Sequence, residues 1–139
     1  MKLFLILGGL LSLNLSALAA VECNTINKEG EFRIRLSTEK GSVGRNLLHT
    51  DFIEKKTGKA KRTTHTLLNH RVSAEKIYLR TLASRGETSG LPAYLEIEAA
   101  PADGSFRGTL KSYRLEKPED SYLPHWVNDG TNEIGCLVD

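Results

Sequence analysis

Apolar and polar side chains alternate strictly over three stretches of the chain. Across 31–37, Phe32, Ile34 and Leu36 oppose Glu31, Arg33, Arg35 and Ser37. Across 94–99, Leu95, Ile97 and Ala99 oppose Tyr94, Glu96 and Glu98. Across 106–111, Phe106, Gly108 and Leu110 oppose Arg107, Thr109 and Lys111. A period of two residues marks β-strands with one face in the core and one in water. The spacing predicts Phe32, Ile34, Leu36, Leu95, Ile97 and Leu110 buried. It predicts Arg33, Arg35, Glu96, Glu98 and Lys111 exposed.

Glycine-bearing turn signals separate these stretches: Asn27–Gly30, Lys40–Ser42, Thr57–Lys59, Ala102–Ser105 and Asn128–Thr131. Asp103-Gly104 and Asp129-Gly130 have the composition of two-residue hairpin turns. The first should join 93–100 to 105–115 as a hairpin. Ile77 and Leu79 extend the core pattern into 75–83. Residues 59–67, KAKRTTHTL, carry threonines and lysines but few apolar residues, as an edge strand would. In 43–56, Leu47, Leu48, Phe52 and Ile53 fit a helical period as well. Strand neighbours on both sides favour a long strand with a bulge. Pro118 and Pro124 make 116–126 an irregular connection. Strands at this spacing predict an all-β domain, a single antiparallel β-barrel of about eight strands, with a β-sandwich as the alternative.

The first 19 residues change the picture from any small barrel to an exported one. Lys2 precedes an apolar run from Leu3 to Leu15, and Ala17-Leu18-Ala19 supplies small residues for a signal peptidase. The run is shorter than the ~20 residues that span a bilayer. Residues 1–19 are therefore expected to be a cleaved Sec-type signal peptide and 20–139 a single barrel domain. The destination is the periplasm or the extracellular space. The only two cysteines, Cys23 and Cys136, flank that domain. In an oxidising compartment they should form one disulfide joining its ends. Closing nearly the whole mature chain into one loop is worth ~4.7 kcal/mol on chain-entropy grounds.

Charge is nearly balanced overall but not along the chain. Residues 33–85 hold 13 basic and 4 acidic side chains, whereas 86–139 hold 4 basic and 10 acidic. In an antiparallel domain such blocks either form opposite faces or interleave and cancel. The sharpest local feature is Lys55, Lys56, Lys59, Lys61 and Arg62 around one turn. Five cations there suit a phospholipid or lipopolysaccharide head group, a polyanionic wall polymer or an acidic protein. The run lacks the interleaved aromatics of nucleic-acid binders.

Candidate chemistry is sparse. His49, His65, His70 and His125 show no metal-ligand spacing, so no metal or cofactor is expected. His49 and Asp51 could share one strand face. Glu96 and Glu98 share another, where solvation outweighs acid–base work. No Gly-x-Ser-x-Gly elbow and no phosphate-cradling glycine loop occurs.

Ser89-Gly90 followed by Tyr94 resembles the Ser-Gly-x-x-Tyr motif of the bacterial periplasmic inhibitors of c-type lysozyme. Three residues separate Gly90 from Tyr94 where the motif has two, and no Tyr-x-x-Lys-Gly partner is present. The resemblance implies a small exported disulfide-linked barrel that inhibits a wall-degrading enzyme. Ser89 and Tyr94 would then be contact residues. The residues themselves point to a non-catalytic, monomeric, non-membrane-spanning barrel that binds an anionic envelope component or a secreted protein through loops. The alternatives are the inhibitor, a barrel carrying a small ligand in an enclosed apolar cavity, and a hydrolase built around His49 or His125.

Overall fold

A computed structural model describes residues 20–85, 92–117, 119–120 and 122–139. The proposed signal peptide and Ser89 lie outside the described residues. The strands are β1 (Val21–Ile26), β2 (Gly30–Lys40), β3 (Asn46–Glu54), β4 (Ala60–Val72), β5 (Ile77–Thr81), β6 (Ser84–Arg85), β7 (Pro92–Ala102), β8 (Ser105–Glu116) and β9 (His125–Val138). All belong to one antiparallel sheet in the order β5-β4-β3-β2-β1-β9-β8-β7-β6. A further β5–β7 pairing closes it into an eight-stranded barrel. The two-residue β6 lies beside the start of β7.

Eight strands leave an interior that side chains can fill. Leu48, Leu67, Ile77, Leu79 and Ile97 fill it, each less than 2% exposed. Ile34, Leu36 and Leu110 are buried with them, as the alternation requires. Phe32 and Leu95 are only half-buried. Phe32 packs against its cross-strand neighbour Phe52 at 4.7 Å between ring centroids. Arg33, Arg35 and Glu98 are exposed, but Glu96 and Lys111 are half-buried. Glu96 is covered because the Tyr78 hydroxyl, one strand away, donates to it at 2.7 Å.

Cys23 and Cys136 stand directly opposite each other on β1 and β9, with Cα atoms 4.0 Å apart, and form the disulfide. Both sulfurs sit in the core. The bond therefore ties the first strand of the ring to the last, across the seam where a barrel would otherwise open. A disulfide is compatible with an oxidising compartment.

Several local expectations are corrected. Residues 46–54 form a strand as expected, but the bulge is not in it. The irregularity lies in its partner β2, between Ser37 and Lys40. Asp103-Gly104 is the expected tight hairpin turn, with both residues at positive φ, 50° and 82°. Asp129-Gly130 is not a turn. It lies inside β9 as a bulge, where Ser112 pairs with Gly130 and Tyr113 with Asn128, leaving Asp129 unpaired. Three interactions hold it there. Ser112 donates to Asp129 at 2.5 Å, the Gly130 amide donates to the Asn128 side chain at 2.9 Å, and Arg114 lies 3.4 Å from Asp129. Gly30 and Gly41 are also not the left-handed residues of their turns. Gly30 packs tightly beneath Phe52 and Ile53, where a Cβ would collide with backbone.

The segment 59–67 is an edge over only part of β4. Residues 67–72 pair with β5 on one side, and the Thr66 carbonyl still accepts the Leu82 amide at 2.7 Å, whereas 60–65 pair in the sheet with β3 alone among the described residues. The cause is a mismatch of lengths, 13 residues in β4 against five in β5. Thr81, the last residue of β5, is buried, and its hydroxyl accepts the Leu95 amide at 2.9 Å. That bond completes the β5–β7 seam where the ladder stops. Beyond it, among the described residues, the wall has a notch between the first half of β4 and β6, which pairs with the start of β7.

Candidate functional site at the open end

Antiparallel connections alternate between the two ends of the ring. At one end are the short turns 41–45, 73–76 and 103–104, with the disulfide-linked termini. At the other are 27–29, the β3–β4 turn 55–59, the end of β5 with β6 and the start of β7, and the described residues between β8 and β9. The notch opens at this second end and holds a cavity of about 430 Å³, within the size range of small-molecule sites.

Cross-strand register explains the lining. On β4, Lys61, Thr63 and His65 stand opposite Phe52, Thr50 and Leu48, on the inner face. Leu95 and Ser112 face each other across β7 and β8. The bulge swings Asp129 toward Ser112. Arg85 on β6 with Tyr94 and Tyr113 completes the lining. The lining is thus rich in hydroxyls, with cations on the β4 and β6 side and one carboxylate on the β9 side. His65 is largely sheltered, and burial holds its pKa below the usual imidazole value. Its Nε2 lies 3.5 Å from the Thr50 hydroxyl.

An aromatic wall adjoins the notch on the outer face. Tyr94 stacks on Tyr113 at 4.9 Å and 17°, and meets Trp126 edge-on at 4.9 Å. The Arg80 guanidinium lies 4.3 Å from the Tyr94 ring centroid, a cation–π contact. Arg80 Nε is buried without a hydrogen-bond partner. Desolvation by these neighbours raises the pKa of both Tyr78 and Tyr94. Trp126 remains 42% exposed. Of the motif residues Ser89 and Tyr94, only Tyr94 can be placed, and it is the hub of this cluster.

No family of known proteins matches the chain, nor does any curated protein or solved structure.

The two charge blocks separate in space. Strands β2–β6 come from the basic block and β7–β9 from the acidic one, and each set is contiguous around the ring apart from β6. The blocks therefore form opposite walls. The five-cation cluster, in contrast, divides. Lys55, Lys56 and Lys59 sit on the exposed β3–β4 tip. Lys61 turns toward the notch. Arg62 turns outward and pairs twice with Asp51, at 2.8 and 2.9 Å. That pairing holds the Asp51 carboxyl below its usual pKa. It also separates Asp51 from a role with His49, whose Nδ1 meets the Thr64 hydroxyl at 3.0 Å. Glu98 is likewise engaged, by Lys76 at 2.8 Å. His70 and His125 are exposed, and no group of three or more metal-ligating side chains occurs among the described residues.

Sequence reasoning missed the notch, because its residues come from five strands. It also missed the aromatic wall. The available signal was the spacing of Tyr78, Tyr94, Tyr113 and Trp126, each on the water-facing parity of its strand.

Proposed function

We propose that the protein is an exported, non-catalytic binding module that takes an anionic partner at the open end of its barrel. The reading places it in the periplasm or extracellular space as a monomer, its charged outer wall facing water. The observation that carries it is the gathering of uncompensated cations there. Lys55, Lys56 and Lys59 project from the β3–β4 tip at that end, and none of them forms an ion pair among the described residues. Such a surface attracts polyanions at long range, and salt weakens it, since the Debye length is about 8 Å at physiological ionic strength.

The test is binding of the disulfide-intact mature protein to poly-glutamate, a generic polyanion, at low and physiological salt. Affinity should fall steeply with salt. Replacing Lys55, Lys56 and Lys59 together by glutamine should weaken it while leaving thermal stability within about 0.5 kcal/mol, as for surface sites without special contacts. Equal, salt-independent binding by both proteins, or none by either, overturns the reading.

A further inference from the structure

The chain has four tyrosines and one tryptophan, and Tyr94, Tyr113 and Trp126 meet in one cluster on the outer wall. Tyr78, Tyr94, Tyr113 and Trp126 lie on neighbouring strands β5, β7, β8 and β9. Tyr122 is in the connection entering β9 and is 94% exposed. None belongs to the barrel core. A barrel needs no aromatic residues on its solvent wall, and Tyr, Trp and Arg clustered there are the composition of a contact surface.

We infer that the partner is a glycan and that the notch receives one of its sugar rings. This rests on the anionic-partner reading and narrows it to an acidic glycan. A sugar ring presents a C–H face that packs on an aromatic plane and a rim of hydroxyls that both donate and accept. The cluster and the notch together offer both. Trp126 supplies an accessible ring. Thr63, Ser112, Tyr94 and Tyr113 supply hydroxyls, with Asp129 as acceptor and Arg85 as donor. An acidic peptide chain would leave the accessible Trp126 ring face unused. A lipid surface is the competing occupant, and the vesicles in the titration below distinguish it.

Trp126 is the only tryptophan, so its fluorescence reports on this cluster alone. The mature protein is titrated with polygalacturonate, with poly-glutamate of matched charge, with dextran and with phosphatidylglycerol vesicles. Polygalacturonate should shift the emission and bind about tenfold more tightly than poly-glutamate, the scale expected of one added aromatic contact. Trp126→Ala, followed by interferometry, should erase that preference and leave poly-glutamate binding unchanged. Trp126→Leu repeats the test while keeping apolar bulk on β9. Equal affinity for both polymers, or a preference for the vesicles, with no effect of either variant, overturns the glycan and leaves the charge reading standing. Binding to dextran alone removes the charge reading and keeps the sugar site. Failure to bind any of the four removes both.

Discussion

The two ends of this barrel are built from the same alternating strands, yet they differ in what the inner face holds and how the wall closes. The closed end has connections of two to five residues, a disulfide between neighbouring strands and an interior of Leu, Ile and Val. The open end, among the described residues, has a gap in the wall between the first half of β4 and β6, and an inner face carrying Lys61, Thr63, His65 and Ser112. The closed end supplies stability through burial. The open end gives up burial for polar groups that stay within reach of solvent. The comparison teaches that a candidate site arises where one strand is too short to cover its neighbour.

Breaking the closed end should cost most. Leu79→Ala removes a fully buried side chain and should destabilise by about 2–5 kcal/mol in denaturant titration, whereas Thr63→Ala at the notch should cost less than about 1 kcal/mol. Similar losses at the two positions would abolish the distinction between the ends. Cys136→Ser should cost about 2–5 kcal/mol, measured the same way, because it releases the β1–β9 seam. A negligible loss would show that the ladder alone closes the ring.

The smallest effect is a pH dependence that sharpens the comparison from the open end. The fold holds the His65 pKa below its unfolded value of about 6.5. Above that pH the imidazole is neutral in both states and contributes no slope. As pH falls below about 6.5, the unfolded chain takes up the proton first, so stability declines until pH passes the folded pKa. His65→Gln should remove that part of the slope between wild-type and variant stability curves. Parallel curves through this range would mean that His65 is not sheltered in the notch.

Much of the fold was legible because period two follows directly from strand geometry. Ile34, Leu36, Ile97 and Leu110 are buried on that ground alone. Asp103-Gly104 was legible because a two-residue turn needs positive φ, which those residues tolerate. Asp129-Gly130 has the same composition but sits within a continuous strand. Whether such a pair turns the chain or bulges depends on the partner strand, here β8, which runs past it. The basic cluster was legible as charge but not as geometry, since alternation sends Lys61 inward and Arg62 outward to Asp51.

The strand class, the inner and outer faces and the cysteine pairing follow from local alternation and from there being only two thiols. These are properties of neighbouring residues or of simple counting. Tertiary structure alone decided that β5 closes onto β7, that the charge blocks become opposite walls, and that His65, Ser112, Asp129 and the aromatic wall meet. Each of those depends on the relative lengths and registers of strands far apart in the chain. Register is set by how all eight strands pack together, and no single stretch of sequence contains it.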